Sequence, residues 1–128
     1  DISFEIPDAQ TFVTLEKELP KYILSFDIKS KPFKDNIIEV DTVLKLTPST
    51  ELKNKMLTEI NYAALVSIEK NFEDKKELEK IILIKIPTDI YPTLYETFVY
   101  LFKQAGVNNI SIEKEVNFEK LYNEKMKN

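Results

Sequence analysis

The chain has 128 residues, 43% of them hydrophobic, and a formal net charge of −4. It contains no His, no Cys and a single Gly, which excludes Ser-His-Asp and Cys-His catalysis, the usual zinc ligand sets, phosphate-binding loops and dinucleotide fingerprints. The negative charge, without a block of basic residues, argues against nucleic-acid binding. We therefore expect no catalytic residue, cofactor or metal. Paired-carboxylate chemistry is the remaining enzymatic alternative, although 22 acidic residues produce such pairs by chance.

The length favours one domain over residues 1–128. The longest apolar runs, 63–66 and 81–84, are far shorter than the roughly 20 residues that a membrane span needs. No signal peptide is recognisable, and the absence of Cys fits a reducing compartment, so we expect a cytoplasmic protein. Because an alternating stretch begins at Asp1, we expect the start of the first strand to precede residue 1.

Four stretches alternate between apolar and polar residues with the period of two that is typical of half-buried strands. They are residues 1–7 (DISFEIP), 21–30 (KYILSFDIKS), 37–47 (IIEVDTVLKLT) and 56–68 (MLTEINYAALVSI). Residues 8–20 carry scattered apolar side chains, and we interpret them as a long crossover loop with room for a helical turn. The short connections between the later strands favour an antiparallel sheet with one buried and one wet face.

The second half of the chain changes to helical spacing. Residues 71–87 are rich in helix formers and predict a helix, although the β-branched run at 81–86 also suits a strand. Residues 88–106 predict a second helix, with Pro92 in its first turn and Gly106 just past its end.

Residues 108–118 are predicted to be extended, and 118–128 to form a terminal helical segment. The order of elements then indicates an α+β fold, in which a four-stranded antiparallel sheet carries two helices packed on one face.

The sheet face away from the helices collects acidic residues. These are Asp1, Glu5, Asp27, Glu39, Asp41 and Glu59, opposed by Lys29 and Lys45. One interpretation is a solvated face whose charges discourage edge-to-edge aggregation. The other is a docking site for a basic partner, with Leu57 as an apolar contact among the acids. In addition, the six Tyr and eight Phe exceed what a small core requires, and the excess could line a groove or an oligomer interface.

Four motifs, in order, resemble the SecB family, the tetrameric chaperones that hold bacterial preproteins unfolded for export. They are DISFEIPDA at 1–9, LTEINYAALVSI at 57–68, Pro87-Thr-Asp-Ile-Tyr-Pro92 with Glu96 in the following helix, and VNFEKLY at 116–122. The resemblance implies a homotetramer built as a dimer of dimers. It also implies ATP-independent binding of unfolded preproteins, delivery to the export motor SecA, and no direct insertion into the membrane.

The resemblance also implies two sites. The family binds SecA on the outer sheet face through acidic residues and a leucine, and the matching positions are Asp1, Glu5, Leu57 and Glu59. The family's client groove lies between the crossover loop and the long second helix. By position, this groove corresponds to Phe12, Val13, Leu15, Leu94, Tyr95, Phe98 and Phe102.

The chain also departs from the family pattern. Ala63 and Ala64 replace two usual glycines, residues 73–85 carry more charge than the family's first helix, and a proline usual after Gly106 is missing. Two other functions stay open. SecB-like proteins also serve as dedicated chaperones of an antitoxin in a toxin–antitoxin system, and a dimeric type III secretion chaperone would share the small, acidic α+β character.

Overall fold

The computed structural model describes residues 1–69 and 73–127. Within these ranges the chain forms four strands and four α-helices. The strands are β1 (Ile2–Glu5), β2 (Tyr22–Lys34), β3 (Ile37–Pro48) and β4 (Leu57–Ser67). The helices are α1 (Ala9–Glu18), α2 (Lys75–Lys80), α3 (Ile86–Gln104) and α4 (Phe118–Lys127). A 3-10 turn at Leu19–Lys21 follows α1, and a π-helical segment at Ile81–Lys85 connects α2 to α3.

The strands form one antiparallel sheet with the order β1-β4-β3-β2. The strands β2, β3 and β4 follow one another as a meander, whereas β1 crosses over to pair with β4. The β2–β3 hairpin contains a register shift between Pro32 and Lys34, and its turn holds Asp35 at a φ of 49°. A carboxylate residue tolerates this left-handed conformation better than most, because its short polar side chain can hydrogen-bond locally. The predicted α+β fold with a four-stranded antiparallel sheet is therefore confirmed.

Helix α1 occupies most of the segment that we expected to be a loop. The Asp8 carboxylate accepts hydrogen bonds from the Thr11 backbone N–H at 2.8 Å and from the Thr11 hydroxyl at 2.7 Å. This N-cap satisfies donors that the first helical turn leaves free, and it lowers the pKa of Asp8. The helix packs through Leu15, which is 1% exposed. Leu15 and Leu19 form the buried face of the segment, whereas Phe12 and Val13 are exposed.

The run at 81–86 is helical, as predicted, but its first five residues, Ile81–Lys85, have π geometry. The Ile86 N–H donates to the carbonyl of Ile81, five residues earlier. Pro87 follows at once and has no N–H to offer the carbonyl of Leu83, so the regular α pattern cannot continue through this point. The π turn accommodates this missing donor, and helical backbone runs without a break from α2 into α3.

The position predicted for Pro92 was wrong. Pro92 lies inside α3, and Pro87 occupies the first turn. The predicted end of this helix is confirmed: Gly106 has a φ of +93°, and its N–H donates to Lys103 while the Val107 N–H donates to Phe102. These two bonds form a Schellman motif, for which a residue with positive φ is required. The terminal helix is also confirmed as α4, whereas residues 107–117 contain no strand.

The core lies between the inner sheet face and the helices. Its fully buried members, at most 1% exposed, include Leu15, Val40, Leu44, Met56, Leu94, Phe98 and Phe102. Aromatic edge-to-face contacts join the two layers, with ring centroids 5.2 Å apart for Phe4 and Phe102 and 4.9 Å apart for Phe26 and Phe118. This packing leaves the opposite sheet face uncovered by the part of the chain that the structure describes.

Candidate functional site

The outer sheet face brings the predicted docking residues together. Glu5 lies directly opposite Leu57 in the β1–β4 register, and Glu59 is two residues further along β4, so all three side chains point outward. Asp1 extends β1 beside Asn61, with backbone hydrogen bonds of 2.9 and 2.8 Å between them. Leu57 is the first residue of β4, pairs with the last residue of β1, and is 55% exposed.

This face is less acidic than the sequence indicates, because three lysines pair with its carboxylates. Lys45 lies 3.4 Å from Glu59, Lys31 lies 3.2 Å from Glu39, and Lys29 lies 3.6 Å from Asp27. Lys31 was not predicted on this face, because the predicted strand ended at residue 30, whereas β2 continues to Lys34.

Among the described residues, Asp1, Glu5 and Asp41 form no salt bridge. Asp41 is half-buried next to Glu39, and desolvation, a hydrogen bond with Glu39 and repulsion by its charge raise the pKa of Asp41. Of these three, the exposed carboxylates without a salt bridge are therefore Glu5, directly opposite Leu57, and Asp1, opposite Asn61 further along β4.

The predicted client residues divide into a buried and an exposed group. Leu15, Leu94, Phe98 and Phe102 are at most 1% exposed and belong to the core, and Tyr95 is half-buried. Only Phe12 and Val13 are clearly accessible, at 41% and 73% exposure. The buried residues of the crossover segment and of the long helix belong to one hydrophobic core cluster.

Phe12 and Val13 line a small groove of about 280 Å³ between α1 and the loop that follows α3. Gly106 and Val107 form its opposite wall. A Cβ atom at Gly106 would lie 3.4 Å from the Phe12 ring, so the glycine also lets α1 approach this loop closely.

A larger apolar groove, of about 640 Å³, lies between the edge strand β2 and α4, and the sequence did not predict it. Its apolar lining comes from Leu24, Phe26, Ile28, Leu83, Val116, Phe118, Leu121 and Tyr122. Glu79, Glu113 and Lys125 stand at its rim. The available signal was the spacing of Phe118, Leu121 and Tyr122, which places three large apolar side chains on one helical face.

A buried tyrosine fixes one wall of this groove. The Tyr91 hydroxyl donates a hydrogen bond to the backbone carbonyl of Glu113, which ties the segment after α3 to the helix. Burial, with smaller contributions from Tyr95 and Glu113, raises the pKa of Tyr91 to about 12. The hydroxyl therefore keeps its proton, and its donor role, throughout the physiological pH range.

An uncovered sheet face with an exposed leucine among carboxylates, together with apolar grooves on the other side, is typical of proteins that bind other polypeptides. In the described part of the chain, none of the helices is both long and apolar enough to cross a membrane.

Comparison with known proteins identifies the family. The model of the family described as SecB, preprotein translocase subunit SecB, matches residues 1–128. A protein from Pelagibacter ubique, provisionally named protein-export protein SecB, is 39% identical over 125 residues, which cover 98% of this chain and 89% of the relative. Protein-export protein SecB from Rhodospirillum rubrum is 23% identical over 114 residues, covering 88% of this chain and 69% of the relative. The chain belongs to the SecB family, which consists of chaperones rather than enzymes.

Proposed function

We propose that this protein is an ATP-independent chaperone that binds unfolded preproteins in the cytoplasm and delivers them to the SecA export motor. The observation that carries the proposal is the SecB family match over residues 1–128, combined with an exposed Leu57 flanked by Glu5 and Glu59 on an uncovered sheet face. Independence from ATP is supported by the single Gly of the sequence, which rules out the known glycine-rich phosphate loops.

SecA docking is assigned to the outer face, at Asp1, Glu5, Leu57 and Glu59. A basic partner surface would meet the exposed carboxylates there, and Leu57 would supply the apolar contact. Salt bridges at the rim of such an interface contribute mainly to association rate and orientation, whereas burial of the leucine contributes to affinity.

Client binding is assigned to apolar surface on the helical side. The groove beside α4 has the size and the apolar lining for extended chain, and the exposed Phe12 and Val13 form a second patch. Such surfaces have few fixed polar anchors, so they accept many sequences and discriminate poorly, as an export chaperone requires. Phe98 and Phe102 are fully buried, so they are not assigned to the client surface.

The assembly is proposed to be a homotetramer, organised as a dimer of dimers. Exposed apolar residues outside the grooves, such as Tyr100 on α3 at 61% exposure, are consistent with further contacts between copies. Light scattering coupled to size exclusion should give about four times the 15.0 kDa chain mass, and a monomer at micromolar concentration would contradict this assembly.

Client holding is tested with variants on exposed positions. Phe12→Ser and Leu121→Ser should each weaken the suppression of aggregation of a diluted, denatured preprotein, with the oligomer intact. Phe98→Ser is unsuitable as a binding probe, because a polar side chain at a fully buried site would disturb folding. Wild-type holding by the double variant Phe12→Ser/Leu121→Ser would contradict this assignment of the client surface.

Pull-down of bound polypeptides from the native cells separates the export function from its alternative. A broad set of unfolded preproteins, together with SecA, supports export. A single small antitoxin recovered in place of preproteins would instead favour a dedicated antitoxin chaperone.

A further inference from the structure

A cleft of about 620 Å³ opens beside the proposed SecA-docking residues. It lies between the end of β1, the end of β3 and the loop at 49–56, and its walls include Glu5 and Leu57. Pro48 and Leu52 add apolar surface. The volume falls within the roughly 300–1,000 Å³ typical of ligand pockets. The cleft is therefore a direct extension of the outer face rather than a separate site.

Hydrogen bonds to the start of β2 hold both ends of this loop. The Ser49 N–H donates to the Lys21 carbonyl at 2.7 Å, and the Met56 N–H donates to the Tyr22 hydroxyl at 2.9 Å. Met56 is 1% exposed, so its end of the loop is also fixed by core packing. A loop anchored at both ends keeps the cleft open before a partner arrives, which lowers the ordering cost of binding.

The charges at the cleft favour a basic occupant. The charged residues that line the cleft are two exposed glutamates, Glu5 and Glu51, and one lysine, Lys55. In residues 1–69 and 73–127, neither carboxylate forms a salt bridge, so both can accept hydrogen bonds from a partner. Such a cleft, with apolar surface and carboxylates, is complementary to a partner segment in which a large apolar residue lies next to Lys or Arg.

We propose that this cleft binds a large apolar side chain of the partner that docks on the outer face, while Glu5 and Glu51 hold an adjacent basic residue of the same segment. The inference rests on the proposed docking function and adds the chemistry of the segment that is recognised. It predicts a partner sequence in which an aromatic or leucine residue lies next to lysine or arginine.

The test uses the full chain and two synthetic peptides, in which one phenylalanine is flanked either by lysines or by glutamates. Thr50→Trp fills the cleft from its exposed loop, and Glu51→Lys reverses a rim charge. Ser111→Trp and Glu115→Lys are the matched controls, since both positions are exposed on another loop. Affinities are measured by fluorescence anisotropy, with circular dichroism melting as the check on folding.

We expect the lysine-flanked peptide to bind and the glutamate-flanked peptide not to bind. Thr50→Trp and Glu51→Lys should each weaken binding by roughly tenfold, and the controls should match wild type. Equal binding of both peptides, or wild-type affinity in both cleft variants, overturns the proposal.

The same variants, assayed with purified SecA, distinguish the inference from the proposed function. If Leu57→Glu abolishes SecA binding while Thr50→Trp and Glu51→Lys leave it unchanged, the docking function stands and the cleft proposal fails. If Leu57→Glu also leaves SecA binding unchanged, it is the docking function that fails.

Discussion

Reversing the charge of Glu59 tests the docking surface with little disturbance of the fold. The side chain of Glu59 is 41% exposed and lies 3.4 Å from the Lys45 amine, whose side chain is 49% exposed. Glu59→Lys removes this bridge and places two cations at directly opposed positions of β3 and β4. The variant therefore has one predicted effect on stability and a separate one on partner binding.

The stability effect is small. An exposed ion pair of this kind contributes about 0.2–1 kcal/mol, and a like-charge pair opposite each other costs a similar amount. The free energy of unfolding should therefore fall by roughly 0.4–2 kcal/mol at low salt and by less at high salt, because salt screens exposed charges. Chemical denaturation at two salt concentrations measures this effect.

The binding effect should be specific to position. Charge reversal against a basic partner slows association, and we expect SecA affinity to fall by about tenfold or more, equivalent to about 1.4 kcal/mol. The double variant Glu59→Lys/Lys45→Glu restores the bridge with opposite polarity, so stability should recover while SecA binding stays weak. Glu39→Lys is the matched control, since Glu39 pairs with Lys31 on the same face but outside the predicted site.

Surface plasmon resonance with SecA, at low and high salt, provides the readout, and client holding is measured in parallel. Wild-type SecA affinity in Glu59→Lys would refute the assignment of Glu59. Recovery of affinity in the double variant would show that the net charge of the face matters rather than a carboxylate at position 59. An equal loss in Glu39→Lys would point to the same conclusion.

Three further predictions concern stability and pH. Tyr91→Phe should lower the free energy of unfolding by about 1–3 kcal/mol in urea denaturation, because the Glu113 carbonyl loses its donor. Thr42→Val should raise it by about 1 kcal/mol, since the Thr42 hydroxyl is fully buried and has no hydrogen-bond partner among the described residues. The raised pKa of Asp41 means that the folded state binds its proton more tightly, so this group's contribution to stability falls as pH rises through its titration. Asp41→Asn should therefore be more stable than wild type at neutral pH, with the difference shrinking under acid conditions, as thermal melts across pH would show.

The strands could be predicted from the sequence because a strand with one buried and one exposed face alternates between apolar and polar residues. At the start of β4, the predicted inward residues Thr58 and Ile60, and Met56 just before the strand, are buried, and the predicted outward Leu57 is exposed. The same reasoning weakens further along the strand, where inward-facing Tyr62 is 37% exposed. Alternation reports which face a residue is on, whereas the neighbouring layer determines whether that face is covered.

The client residues could not be assigned in the same way. Phe12 and Phe98 are both aromatic and both lie on helices, yet one is 41% exposed and the other 0%. The difference depends on how α1 and α3 meet over the sheet, which composition and spacing do not encode. For the same reason the groove beside α4 was missed, because β2 and α4 are distant in sequence and form it only when folded.

The fold also explains how one small domain can carry two binding surfaces. Because adjacent residues of a strand point to opposite faces, the Leu57 side chain points to the outer face, while its neighbours Met56 and Thr58 are buried on the inner face. The paired sheet therefore separates the proposed SecA surface from the proposed client surface by its own thickness. A substitution on the outer face changes charge or apolar contact there without removing a core residue, which lets partner recognition vary while the client grooves and the core stay intact.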